Sequence, residues 1–185
     1  ASRNDPLGPL NVAVYPLGAV GSRDVTPLRL FDSIIFCQRS GKRLRGIKYI
    51  VGEGAQYADL NVYADHVSNG FVSVAYVAEP YSTIWACDAD GALSGCTYYP
   101  EQSVVGWFRC PLDGIVECVQ AIPAPSGAFD ELWLIVRRTI NGATVRYIEV
   151  IRAPFRAMLD GDNGGCRHYG PLRRQRRAAH HHHRR

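Results

Sequence analysis

Residues 131–149 read ELWLIVRRTINGATVRYIE, and this stretch decides the fold class. Two runs rich in Leu, Ile, Val, Trp and Tyr flank Asn141-Gly142. This dipeptide is among the strongest short-range hairpin signals, because both central residues of a type I′ turn need a positive φ. The stretch therefore predicts two antiparallel strands, with Arg137 opposite Arg146 and Arg138 opposite Val145.

Two earlier segments repeat this pattern at spacings of 48 and 49 residues. The aligned aromatic positions are Phe36, Trp85 and Trp133 in the first strand, and Tyr49, Tyr98 and Tyr147 in the second. Because such aromatic residues recur at equivalent places, Trp85, Trp107 and Trp133, with Tyr98 and Tyr147, indicate core packing between units rather than a platform for stacking sugars or bases.

The two earlier hairpins have turns at Ser40-Gly41 and Asp90-Gly91. If Asp90-Gly91 is a two-residue turn, Cys87 faces Ser94 and Cys96 faces Trp85. The two cysteines are then not cross-strand partners.

Further strand-like segments accompany the hairpins. Residues 71–78 and 115–122 resemble each other and precede two hairpins, and residues 103–110 follow the second. A period of about 40 to 50 residues with four strands per unit is typical of propeller blades. Between the first hairpin and residue 71, Leu60, Tyr63 and Val67 have helical spacing, which favours a short helix capped by Asp59 and ended by Gly70.

The sequence thus predicts a mainly β fold with propeller-like, antiparallel, four-stranded blades. An antiparallel sandwich whose hairpins resemble each other by chance is the alternative. We divide the chain into an irregular lead-in (1–26), about two and a half blades (27–160) and a disordered basic and His-rich tail (161–185). Propellers use about four to eight blades, so we expect an incomplete ring that more chain or another subunit must cover.

Composition narrows the function classes. The 185 residues are 46% hydrophobic and 21% charged, which suits one globular domain with a core. The net charge of +4 comes from seven arginines after residue 163, and the rest of the chain carries −3. The tail is a candidate for polyanion binding, but an engineered tag, translated linker or out-of-frame extension is the favoured interpretation.

No run of about 18 apolar residues occurs, so we expect no membrane-spanning helix.

The sequence has few residues that could form a catalytic, metal or cofactor site. His66 is the one histidine before the tail, and no phosphate-binding glycine motif occurs, so we expect no catalytic, metal or cofactor site. The six cysteines lie mostly in apolar runs without metal-binding spacing and are interpreted as reduced packing residues in a reducing compartment. Acidic residues at turns leave a polysaccharide-processing enzyme as a distant alternative.

One cluster is a candidate subunit interface: Arg137, Arg138 and Arg146. Directly opposed like charges destabilise a sheet unless an anion lies between them. Pairing within the sheet to Glu149 or Glu117 is one interpretation, and contact with an acidic face of a neighbouring subunit is the other. DNA contact is disfavoured because the body of the chain is acidic.

Several segments resemble a known family. They are Ala75–Pro80, the run from Trp85 through Asp90-Gly91 to Trp107, residues 116–123 and, most specifically, Glu131–Glu149. Together with Pro27–Gly41, these segments resemble the tail nozzle proteins, also called tail tubular protein B, of short-tailed double-stranded DNA bacteriophages. The resemblance covers roughly residues 8 to 155.

The resemblance implies a non-enzymatic structural role in tail assembly and in DNA retention and ejection. It also implies a homo-oligomer whose partners are neighbouring nozzle copies, the connector or adaptor and tail fibres, with double-stranded DNA passing only through the assembled channel. The expected location is the virion tail, which is assembled in the cytoplasm of the bacterial host, and no membrane is expected among the partners. Because the parts that build the central tube are missing, we expect a fragment or truncated relative. A free-standing propeller module for protein interactions is the alternative.

Overall fold

The computed structural model describes residues 19–151, which form a mainly β structure as predicted. The strands within this range are β1 Leu28–Leu30, β2 Ser33–Cys37, β3 Leu44–Ile50, β4 Gly54–Asp59, β5 Phe71–Val77, β6 Thr83–Asp88, β7 Leu93–Tyr99, β8 Val104–Cys110, β9 Ile115–Pro123, β10 Asp130–Ile140 and β11 Ala143–Ile151. Two short 3₁₀ turns, Asp65–Val67 and Pro100–Gln102, complete the assigned elements.

The strands form three antiparallel sheets in chain order. The first sheet is β1-β2-β3-β4, the middle sheet is β5-β6-β7-β8, and the third sheet is β9-β10-β11. Four strands per unit are therefore confirmed for the first two units, and three strands of the third lie within the described residues. No sheet closes on itself in this part of the chain.

The middle sheet lies between the other two. Its residues alternate between two faces, as in any strand. Ile84 points into a core shared with Ile35 of the first sheet. Cys87, three residues along, belongs to a second core with Leu134 and Val136 of the third sheet. Both faces of the middle sheet are thus covered, whereas the described residues cover the first and third sheets on one face each.

The first strands of the three sheets lie together. Residues of β1, β5 and β9 line one groove of about 410 Å³. The Ser73 hydroxyl on β5 donates to the Val119 carbonyl (3.2 Å) and accepts from the Val119 amide (3.3 Å) on β9. This side chain therefore connects the first strands of two neighbouring sheets.

The Asn141-Gly142 prediction is confirmed. Both residues have positive φ (50° and 78°), and the register pairs Arg137 with Arg146 and Arg138 with Val145. Two consecutive left-handed residues match the type I′ requirement that the dipeptide indicated.

The Asp90-Gly91 register is wrong by one residue. Cys87 lies opposite Leu93, and Cys96 lies opposite Ile84. The Asp88 carboxylate accepts hydrogen bonds from the amides of Asp90 (3.1 Å) and Ala92 (3.0 Å), and Gly91 alone takes a positive φ, 81°. The result is a three-residue loop with a glycine bulge instead of a two-residue turn. The two cysteines still do not pair across the strands.

The first repeat is also shifted by one residue from the sequence alignment. Ile35 lies opposite Gly46 as Trp85 lies opposite Gly95, so Ile35 rather than Phe36 is the structural equivalent of Trp85. The shift arises because the first hairpin has a four-residue loop, closed by the hydrogen bond from the Gln38 amide to the Arg43 carbonyl.

The short helix predicted from Asp59 is wrong. Asp59 ends β4, and its carboxylate accepts from the Asn61 amide (3.1 Å). The buried Asn61 side chain bonds to the first hairpin, and Trp107 Nε1 donates to the Leu60 carbonyl (2.8 Å). These tertiary contacts use backbone groups that a helix would pair internally, and within the segment only Asp65–Val67 form a short 3₁₀ helix.

The structure shows how the predicted core aromatic residues pack and that the described cysteines are free. Trp85 packs against the core shared with the third sheet, Tyr98 is buried in the core shared with the first sheet, and Trp107 stacks on Phe71 with ring centroids 5.7 Å apart, so core packing is confirmed for these three. The prediction is wrong for Trp133, which belongs to neither core cluster of the described residues. The cysteines of the described residues are all free thiols: Cys37, Cys87, Cys96, Cys110 and Cys118. Cys166 and the basic tail lie outside the described residues.

Candidate subunit interface

The β10–β11 hairpin brings two of the three candidate arginines together. Arg137 and Arg146 are directly opposed in the register and share the outer face of the third sheet. Arg138, the next residue along β10, points to the opposite face. The sheet therefore divides the predicted cluster into two separate sites.

Glu117 lies between Arg137 and Arg146. Arg146 donates to it through Nε (2.7 Å) and Nη2 (3.2 Å), and Arg137 Nε lies 2.9 Å from the same carboxylate. The hydrogen bonds from Arg146, helped by the charge of Arg137, hold the pKa of Glu117 below its usual value. The carboxylate raises the pKa of Arg146 in turn. Glu117 thus removes the repulsion between the two arginines.

A β-bulge places Glu117 at this position. Ile135 pairs with Cys118 and Val136 pairs with Val116, which leaves Glu117 as the extra residue of β9. A bulge redirects side chains near it. Here it lets Val116 remain in the core while Glu117 reaches both arginines.

Arg138 is a buried structural residue. Its side chain is only 7% exposed, and it donates to Glu149 through Nε (3.1 Å) and Nη2 (3.0 Å). Its Nη1 lies 3.3 Å from the Asp113 carboxylate, in the loop before β9. A two-point guanidinium–carboxylate pair fixes geometry well, so Arg138 ties β11 and this loop to the end of β10.

A shallow cleft of about 430 Å³ lies beside these residues. It is lined by Asp113, Gly114, Ile115, Arg137, Arg138, Thr139 and Ile140. Each arginine of the cluster faces a carboxylate, so the three cations are balanced by three anions. This balance suits a protein surface better than a phosphate backbone, whose binding rests on unpaired positive charge.

An apolar surface next to the arginines was not identified from the sequence. The outer face of the third sheet carries Trp133, Ile135, Ile148 and Val150, and Ile148 is 57% exposed. Alternation along β10 and β11 was the signal that could have shown it, because every second residue of each strand shares a face. The predicted interface role of the arginines stays a prediction.

Residues 19–151 hold neither a metal-binding cluster nor a membrane-spanning helix. In this range no group of three or more His, Cys, Asp or Glu side chains is arranged to hold a metal ion. The same residues contain no helix long and apolar enough to cross a membrane. His66 contributes a backbone carbonyl that accepts from Arg109.

Comparison with known proteins gives no assignment. No protein-family model matches the sequence, and no curated protein matches it.

Proposed function

We propose that this chain is a structural component of a bacteriophage tail of the nozzle type, in which the three sheets are consecutive propeller blades. It acts in tail assembly and in retention and ejection of DNA, without catalysis. Its partners are neighbouring nozzle copies, the connector or adaptor and tail fibres, and it touches double-stranded DNA only through the assembled channel.

One observation carries the propeller arrangement. The first strands β1, β5 and β9 line a common groove, and the sheets follow one another face to face in chain order. In a propeller, four-stranded sheets surround a central channel in this sequential manner. A simple sandwich has two packed sheets and gives no reason for the third.

The phage assignment rests on the quoted resemblance, whose most specific stretch is Glu131–Glu149. This stretch is the β10–β11 hairpin, with its balanced charges and exposed apolar residues. Such a surface fits contact with other protein subunits.

Immunogold electron microscopy tests the assignment. Antibodies raised against the purified chain are applied to short-tailed particles released by the host that carries the gene, and to the host lysate. We expect gold at the tail of intact particles. Label confined to soluble host fractions would overturn the tail assignment and favour the free-standing interaction module.

A further inference from the structure

Within residues 19–151, the stack of sheets ends in two open faces. The first-sheet end face carries Ile34, Phe36, Ile47, Tyr49 and Tyr57, and Tyr49 is 65% exposed. The third-sheet end face carries Trp133, Ile135, Ile148 and Val150. Exposed apolar surfaces of this kind on a sheet mark interaction sites.

The two end faces correspond to the two kinds of sheet face that pack against each other inside the stack. Within the stack, the face bearing Trp85 packs on the face of the next sheet bearing Leu134. Trp133 repeats Trp85 at the third-sheet end face. Ile35 is the equivalent of Trp85, so Ile34 on the first-sheet end face is the equivalent of Ile84 in the middle sheet. Ile84 lies on the face that packs against the preceding sheet. The third-sheet end face of one copy therefore matches the first-sheet end face of another, as a continuation of the packing inside the chain.

We propose that a second copy of this chain packs head to tail on these end faces, so that two copies close a ring of six sheets. This inference rests on the propeller arrangement of the proposed function. A heterologous contact closes a ring when the rotation per subunit allows it. Six sheets lie within the range of about four to eight that propellers use, whereas three copies would exceed it.

The charges on both end faces permit burial. Glu117 contacts both Arg137 and Arg146 on one face, and Asp59 pairs with Arg43 (2.6 Å) and lies 3.8 Å from Arg45 on the other. Burying a charge that lacks its partner is costly. Because each carboxylate already has its arginines, closing the junction isolates none of these charges.

The available area also favours a closed pair. The strands of the first sheet have 3, 5, 7 and 6 residues, so this smaller end face covers about 300 Å². One junction then buries about 600 Å² in total, whereas two junctions together reach about 1,200 Å², the lower end of the range for specific stable interfaces.

Light scattering after size exclusion of the full chain tests the proposal over a concentration series. We expect a species of twice the 20.5 kDa chain mass and no larger series. Ile34→Glu and Ile148→Glu, one on each end face, should each abolish the two-copy species. Val104→Glu is the matched control, because Val104 is an exposed apolar residue on β8 of the middle sheet and outside both end faces.

Circular dichroism checks that the variants retain the β signal. If Ile34→Glu does not fold, Tyr49→Lys on the same end face replaces it, and Ile135→Lys replaces Ile148→Glu in the same way. Loss of the pair in only one of the two end-face variants would overturn the head-to-tail contact in favour of like faces pairing. A monomeric wild type, or masses that keep rising with concentration, would overturn ring closure. These outcomes are independent of the gold labelling that tests the tail assignment.

Discussion

Glu117 sets the charge balance on the outer face of the third sheet. It accepts hydrogen bonds from Arg146 on β11 and pairs with Arg137, which lies directly opposite Arg146 on β10. Its pKa is lowered in the folded state. A carboxyl group with a lowered folded pKa stabilises the protein above its unfolded pKa of about 4.3, and this contribution is lost as the pH falls through the folded pKa.

Glu117→Gln should lower the melting temperature at pH 7, because two opposed arginines lose the anion between them. The difference from wild type should shrink as the pH falls from about 4.3 through the lowered folded pKa of Glu117, since below that pKa Glu117 is protonated in both folded and unfolded wild-type chains. Thermal melts at several pH values measure this. Glu101→Gln, at an exposed turn, is the control. An equal difference at pH 7 and at acidic pH would contradict the role of the charge.

The buried cysteines should be inert in the folded protein. Burial raises the pKa of the Cys87 thiol and of the Cys96 thiol to about 12. The thiolate is the reactive species, so at pH 8 iodoacetamide should leave both residues unmodified until denaturant is added. Peptide mapping by mass spectrometry reads the result. Rapid labelling of either residue in the native protein would show that its strand is not buried as described.

At the scale of elements, the sequence predicts hairpins better than their loops. Asn141-Gly142 gives the correct register because the two residues themselves favour the left-handed conformation. Asp90-Gly91 misleads by one position because Asp88, outside the dipeptide, bonds two loop amides. The segment after Asp59 fails for a similar reason, since Asn61 and Trp107 pair its backbone and side chains with distant strands. Tertiary hydrogen bonds of this kind are not visible in local patterns.

Gly114 joins the loop after β8 to β9 and leaves no room for a side chain. Its φ is +129°, and a Cβ there would lie 2.8 Å from Val136 Cγ1 and 3.0 Å from Arg138 Cγ. Gly114→Ala should therefore cost about 2 kcal/mol or more, from backbone strain and overpacking together.

Urea unfolding of the Gly114→Ala variant measures this cost. Gly127→Ala is the matched control, because Gly127 also has a positive φ (+68°) but no atom within 4 Å of a new Cβ. It should cost only about 1 kcal/mol, from the left-handed conformation alone. Equal losses in the two variants would show that packing around Gly114 contributes nothing.

At the scale of the whole molecule, the repeat predicts that similar sheets recur and does not predict how they pack. Both core clusters join residues from neighbouring sheets, and the residues involved are apolar on both faces of the middle sheet. Alternation along β10 already places Arg137 and Arg138 on opposite faces of the sheet, but the position of Glu117 beside Arg137 and Arg146 depends on a bulge in β9 that no local pattern indicates. The sequence predicts the hairpin and an incomplete ring, but the apolar residues on the outer face of the third sheet were not identified from it.

The most direct test of the stacked arrangement is disulfide cross-linking between β5 and β9. Ser73 Oγ lies 3.7 Å from Cys118 Sγ, so Ser73→Cys places two thiols within reach of each other across neighbouring first strands. Val104→Cys, on β8, is the control. If the first strands of successive sheets share one groove, mild oxidation of the native Ser73→Cys variant yields a linkage between positions 73 and 118 in peptide maps, and the control yields none there. Free thiols at both positions, or a linkage that forms only after unfolding, would contradict the arrangement from which the propeller and the ring are inferred.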